Sequence, residues 1–255
     1  MPETTLPEGY RRLAFERLGS TNVEALSRAR GGDVGRLWVT TQEQTEGRGR
    51  RGRVWRSGKG NHHASLLLID PAPPEVAATL SFAAGVALHR ALTDLAGATA
   101  GKRLRLKWPN DLLCDGQKVA GLLVEGEALA SGHFAVVTGI GVNCVDHPEI
   151  EALYPAGDLA ALGITVNAEH LFLRLAHTFD EEIQLWDSGR GFAGTRKRWV
   201  NRALGFGGPI RVNLPDRIIH GRLETLDPAG RLIVVANDGQ RETISAGDVF
   251  FGVGA

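Results

Sequence analysis

The sequence predicts an α+β protein in which a mixed β-sheet flanked by helices is followed by a small β-barrel. Three observations carry that expectation. Residues 75–95 and 168–186 place apolar side chains at helical spacing. Between them, short β-prone runs are joined by tight turns, which favours antiparallel or mixed pairing over long parallel crossovers. After Leu204 the character changes to a series of short strand-like runs, the pattern of a small barrel appended to a larger domain. The expected division is residues 1–205 and residues 206–255.

The elements follow in order. RLAFERLGS reads as a strand, and TNVEALSRARGG as a helix ending at Gly31-Gly32, with Thr21 and Glu24 in the form of a capping box. RLWVTTQ is a second strand. From Gln42 to Asn61 the chain is polar and aperiodic, a length of loop that is either functional or disordered. HASLLLI resumes a strand, and Val76, Leu80, Ala84, Ala87, Leu88, Ala91 and Leu95 form a helical face. RLRLKW, KVAGLLVEG and HFAVVTGIGVN are strands punctuated by Pro109-Asn110-Asp111, Asp115-Gly116 and Ser131-Gly132. Leu171, Leu175, Phe179, Ile183 and Trp186 face one way on the next helix, and TRKRWVNRAL reads as another. IRVNL, IHGRLETL, RLIVVA and RETISA supply the barrel strands.

Composition bounds the function. With 255 residues and 43% hydrophobic content the chain can bury one sizeable core, so wholesale disorder is excluded. Its 29 basic and 29 acidic side chains cancel, leaving no global field for a polyanion or an anionic membrane. Cys114 and Cys144, in no metal-type spacing, fit two buried thiols in a reducing compartment. The N-terminus lacks an apolar leader and no run approaches the ~18 apolar residues of a membrane helix, so the expectation is a soluble cytoplasmic protein.

Against zero net charge, EGRGRRGRVW at residues 46–55 packs four arginines and three glycines into ten positions. Such a block suits a nucleic-acid tail, a solvated loop, or a small-molecule phosphate loop in which glycines admit the anion and arginines fork onto its oxygens. KWPND at 107–111 reads as a strand ending in a turn, or as a lysine for phosphate beside an Asn and Asp for nucleotide or hydrated Mg²⁺. Lys118 is either a solvent-facing strand residue or a cation beside a reacting carboxylate. GIGVN at 139–143 lacks the third glycine and the ensuing helix of a dinucleotide fingerprint. His62 and His63 point to opposite faces of a strand and do not suggest a metal pair.

Order and spacing tie these pieces together. STN at 20–22, QTEGRGRRGRVW at 44–55, KWPNDLL at 107–113, KVAGLLVE at 118–125 and GIGVN at 139–143 form a succession that resembles the biotin protein ligases. The likeness runs over nearly the whole chain. It implies a class II synthetase-like catalytic domain of the biotin/lipoate ligase type with an SH3-like barrel. It also implies an enzyme that makes biotinyl-5′-AMP and pyrophosphate from biotin and MgATP, then passes biotin to a lysine of a biotin carboxyl carrier protein. That partner is an acetyl-CoA carboxylase subunit or a related carboxylase domain. Biotin and MgATP are substrates, with no tightly bound prosthetic group.

By the same resemblance Ser20, Thr21, Asn22 and Gln44 hold the biotin head group, and Gly47, Arg48, Gly49 and Arg50 belong to the segment that closes on biotin and the acyl phosphate. Lys118 contacts the biotin carboxylate and adenylate oxygens, and Gly121 admits biotin closely. Arg51, Arg53, Trp55, Lys107, Asn110, Asp111 and Asn143 serve ATP or the adenylate, Asp111 also Mg²⁺. Lys118, Arg48 and Arg50 are the expected catalytic residues, while the separate duties of Arg51 and Arg53 stay open. His62-His63 stand where the family has an apolar and an aromatic residue, which leaves the packing of that strand and any homodimer open. Only 19 residues precede Ser20, too few for a winged helix-turn-helix, so no DNA binding is expected. The alternatives are a lipoate protein ligase and, from another class, an RNA- or single-strand-binding module, which would need a wider basic face with stacking aromatics.

Overall fold

The structure, a computed structural model, describes residues 3–56, 58–147 and 155–252. β1 (Arg11–Leu18), β2 (Leu37–Gln44), β3 (His62–Ile69), β7 (Phe134–Val142), β6 (Gln117–Ala128), β5 (Asp111–Cys114) and β4 (Leu104–Lys107) form one seven-stranded sheet in that spatial order. Only β1 and β2 pair in parallel, because α1 (Thr21–Arg30) provides the crossover; every other pair is antiparallel. The sheet is therefore mixed and largely antiparallel, within the range the tight turns predict.

Helices cover both faces. α3 (Leu80–Ala96), α5 (Ala168–Trp186) and α6 (Phe192–Val200) lie on one side, and α1 lies across β2, β3 and β7 on the other. The expected helix over 75–95 is two pieces, α2 (Pro74–Ala77) and α3. At the join the Thr79 hydroxyl donates to the Val76 carbonyl at 2.7 Å, a local bond that competes with helix continuation. Pro74–Ala96 is long and apolar enough to cross a membrane by length and composition, contrary to the expectation from sequence, but 67% of its apolar window is buried inside the protein. The short α4 (Ala98–Arg103) and β5 are additions to the predicted elements, and α6 begins three residues before the predicted helix and ends four before it.

The second sheet contains β8 (Pro209–Asn213), β9 (Ile218–Leu226), β10 (Leu232–Ala236), β11 (Arg241–Ile244) and β12 (Asp248–Phe251), all antiparallel, in the order β11-β10-β9-β8-β12. It is of the SH3-like barrel type. Ile210, Val212, Leu232 and Val234 join the same continuous core as α3 and α5. The Trp108 indole N–H donates to the Gly230 carbonyl at 3.0 Å, pinning the end of β4 to the β9–β10 turn. Gly230 has φ +81°, and a Cβ there would meet Phe82 at 2.8 Å, so both the turn and the docking contact require glycine.

His62 and His63 do point to opposite faces of β3, an interior strand, and both are buried. His62 stacks near Phe172 of α5, with ring centroids 6.4 Å apart. Burial pushes His62 down to about 3, and His63 and His89 down to about 4. Folding thus keeps these rings neutral where the unfolded chain protonates them, and stability falls as pH drops from the unfolded value near 6.5 toward 4. Each withheld proton is worth about 1.4 kcal/mol per pH unit across that window. Urea midpoints are expected to fall markedly between pH 7 and pH 5, and a His63→Phe variant should show a shallower fall; equal slopes would remove His63 from this account.

Candidate active site

Alternation along β7 opens a cleft on the α1 face of the large sheet. Val136, Ile140 and Val142 point into the main core, while Ala135 and Val137 pack under α1. The next two residues on that second face are Gly139 and Gly141, so the side-chain layer ends and a cavity of about 600 Å³ begins. Seven basic side chains line it (Arg48, Arg50, Arg51, Arg53, Arg56, Lys107 and Lys118) against the carboxylates of Asp111 and Asp248. In a chain of zero net charge this is a strongly local anion field.

One end of the cleft is neutral and hydrogen-bonding. Pairing of β1 with β2 extends to Leu18 and Gln44, two residues beyond the predicted strand, and this holds Gln44 beside the start of α1. Gln44 Oε1 accepts from the Thr21 N–H at 2.9 Å and from Thr21 Oγ1 at 3.1 Å. Ser65 Oγ lies 2.7 Å from Thr21 Oγ1 and 2.6 Å from Asn22 Oδ1. The capping box expected at Thr21 and Glu24 is absent: Ser20 occupies the cap position with no side-chain cap, and Glu24 pairs with Arg28 one turn on. The Thr21 hydroxyl is thereby committed to Gln44 rather than to its own helix.

The other end is cationic. Strict alternation over three residues would put Lys118 and Gly121 on opposite faces of β6. A register shift opposite Leu112 and Leu113 inserts one residue, so Gly121 pairs with Asp111 and Lys118 with Leu113. The bulge returns Lys118 to the cleft, where its Nζ lies 2.7 Å from Asp111 Oδ1. Lys107 Nζ stands 3.9 Å from the other carboxylate oxygen. Burial, opposed by Asp111 and reinforced by the Lys118 charge, brings Lys107 down to about 8. Asn110 donates to the Leu122 carbonyl at 2.6 Å, fixing the turn that carries Asp111.

The arginine segment is an ordered hairpin over the cleft. Its rails are the Trp55 N–H to the Gly47 carbonyl at 2.8 Å and the Gly49 N–H to the Arg53 carbonyl at 2.7 Å. Its tip turns through Arg51 (φ +57°) and Gly52 (φ +72°). Arg48 lies 3.3 Å from Glu125, while Arg51 and Arg53 reach Asp248 of the barrel at 3.4 and 2.9 Å. Arg50 alone among the four has no carboxylate within ion-pair distance among the described residues; it points inward toward Asn110 at 3.4 Å, and burial lowers its pKa. The Trp55 indole lies over Gly121 and Gly141, and Lys118 Nζ sits 5.7 Å from its ring centroid.

Of the residues singled out in the sequence, all but Gly47 line this one cleft. Gly47 sits at the root of the hairpin, where a Cβ would come within 2.4 Å of the Trp55 carbonyl oxygen, so glycine is required there by the crossing of the rails. Asn143 donates to the Gly157 carbonyl at 3.0 Å and leaves its buried Oδ1 unpartnered among the described residues. Gly139 and Gly141 of the GIGVN motif also line the cleft, although the sequence reading named only Asn143 from it; Asp248 lines it too, and Ser65 and Glu125 hold Asn22, three residues given no role from sequence. Two glycines at period two in a strand rich in β-branched residues were a readable signal. Asp248, the first residue of β12 in the other sheet, carried none. Among the described residues no group of three His, Cys, Asp or Glu side chains converges as a metal cage.

Fold and cleft together define a ligase-type α+β enzyme domain completed by a small barrel. Residues 14–143 match the biotin/lipoate A/B protein ligase family and residues 205–252 the biotin protein ligase C-terminal domain. The chain belongs to the biotin/lipoate A/B protein ligase family. It is 40% identical to a biotin–[acetyl-CoA-carboxylase] ligase of Paracoccus denitrificans over 92% of this chain and 98% of that one. Identity to the enzyme of the same name in Mycobacterium tuberculosis is 32% over 94% of this chain and 89% of that one. Among solved structures, the biotin protein ligase of Aquifex aeolicus in complex with biotin and ATP superposes with a TM-score of 0.77 at 23% identity, covering 95% of this chain and 99% of that one.

Proposed function

We propose that the protein is an ATP-dependent biotin protein ligase. In the first step a biotin carboxylate oxygen attacks the α-phosphorus of MgATP, and pyrophosphate leaves. In the second, a carrier lysine amine attacks the acyl carbon of biotinyl-5′-AMP, AMP departs, and the amine loses a proton as the amide forms. The carrier is a biotin carboxyl carrier domain of a carboxylase, in keeping with the names of the relatives.

The observation that carries this reading is the polarity of the cleft. A neutral end made of Ser20, Thr21, Asn22 and Gln44 adjoins a cationic end made of Lys107, Lys118, Arg48 and Arg50. A head group with donors and acceptors suits the first, and an acyl phosphate the second. Biotin's ureido ring offers both hydrogen-bonding functions to this polar end, whereas the dithiolane of lipoate offers neither an N–H nor a carbonyl. Gly121 gives the ligand close approach, and Gly47 and Gly49 shape the hairpin that covers it. Lys118, with Arg48 and Arg50, stabilises charge on the carboxylate and phosphate oxygens. Arg51, Arg53, Trp55, Lys107, Asn110 and Asn143 hold the nucleotide, with Asp111 beside its Mg²⁺. Residues 1–205 form the catalytic unit on this reading, and residues 206–255 the barrel that supplies Asp248.

ATP–pyrophosphate exchange tests the assignment directly. Exchange is expected with biotin and not with lipoate or with neither acid; exchange indifferent to biotin would sink it.

A further inference from the structure

We propose that Glu125 is a positioning residue that couples the head-group end of the cleft to the arginine hairpin. The inference rests on the ligase reading of the site. Glu125 lies on β6, and its carboxylate faces two partners at once. Oε2 accepts from Asn22 Nδ2 at 2.7 Å, and the same carboxylate lies 3.3 and 3.5 Å from an Arg48 guanidinium nitrogen.

The two contacts differ in kind. Asn22 is buried, and its amide orientation is set from both sides. Its Oδ1 faces Ser65 at 2.6 Å, while its Nδ2 has Glu125 as the close partner and the Leu123 carbonyl at a longer 3.3 Å. A short charge-assisted bond to a buried amide is a firm constraint. Arg48 is half exposed and its contact is long, which makes it an exchangeable clasp. An incoming carboxylate or phosphate competes for Arg48, so the charge on Glu125 holds the first rail of the hairpin in the free protein and releases it to the ligand. The same carboxylate keeps the Asn22 amide turned correctly for the head group. Arg51 and Arg53 remain tied to Asp248 at the far rail, so release at Arg48 pivots the hairpin about the barrel end.

Two substitutions separate these roles. Glu125→Gln keeps an oxygen for Asn22 but removes the charge that faces Arg48; Glu125→Ala removes both. In the ligand-free protein, arginine-specific proteolysis mapped to residues 48–53 is expected to run several-fold faster in both variants, and in wild type raised to high salt. The KM for biotin in the exchange assay is expected to stay within about threefold of wild type in Glu125→Gln and to rise about tenfold or more in Glu125→Ala, a loss of one buried hydrogen bond. Unchanged cleavage in Glu125→Gln would overturn the clasp, and an unchanged biotin KM in folded Glu125→Ala would overturn the positioning of Asn22. If wild type shows no biotin-dependent exchange, the ligase reading fails, and ligand-free cleavage alone decides the clasp.

Discussion

Lys118→Ala is expected to lower biotin-dependent ATP–pyrophosphate exchange by about 10²–10³-fold, the cost of removing one preorganised charge from an acyl-transfer site. The loss should appear in kcat more than in biotin KM, because charge builds on the oxygens only as the bond to phosphorus forms. The backbone of Lys118 is held independently of its side chain: its N–H donates to the Pro155 carbonyl at 2.8 Å, and its carbonyl accepts from the Gly157 N–H at 3.0 Å. The strand therefore survives the substitution. Asp111 loses its 2.7 Å partner but keeps Lys107 at 3.9 Å, and removal of the like charge lets the Lys107 pKa climb from about 8. Nucleotide binding should then persist to higher pH than in wild type, since Lys107 stays charged longer. Lys118→Arg should rescue little, because a planar fork cannot place a point charge where the ammonium sits between Asp111 and Trp55. An Ala variant that retains more than about a tenth of wild-type exchange would remove Lys118 from the chemistry.

The parts of this site that were legible in the sequence are those in which chemistry and local order coincide. Four arginines among three glycines, with no net charge elsewhere to explain them, point to a small anion once STN and KWPND flank them. The antiparallel pairing of most of the sheet follows from tight turns between β-prone runs, and the barrel from the change in pattern after Leu204. What stayed hidden depends on partners distant in sequence. Thr21 with Glu24 satisfies every local rule for a capping box, yet Gln44 competes for the hydroxyl because β2 runs two residues past its apparent end. Period-two reasoning places Lys118 opposite Gly121, and only a bulge set by the neighbouring β5 brings them together. β5 itself is four residues long, too short to separate from the turns around it. Arg51 and Arg53 pair with Asp248, 197 and 195 positions away, through a docking of two sheets that no pattern in either one announces.

Gly139→Ala is expected to damage both stability and head-group binding, whereas Gly121→Ala should damage binding alone. A Cβ on Gly139 would stand 2.3 Å from Asn22 Oδ1 and 3.0 Å from its Cγ. That side chain has nowhere to retreat, for Ser65 holds it at 2.6 Å on one side and Glu125 at 2.7 Å on the other. Either Asn22 gives up a buried hydrogen bond or β7 shifts, a strain of about 1–3 kcal/mol. At Gly121 the nearest atoms are the Trp55 ring at 3.2 Å and the end of Lys118 at 3.4 Å. One belongs to the hairpin and the other to a flexible side chain, so the free protein yields at little cost. A methyl at residue 121 instead projects into the space a ligand would take, and biotin KM should rise while the thermal midpoint stays put. For Gly139→Ala a lowered midpoint and a biotin KM raised about tenfold are expected together, since one displaced side chain causes both. Equal midpoints in the two variants would mean that Asn22 can turn aside freely, and the rigid head-group end inferred from its hydrogen bonds would have to be abandoned.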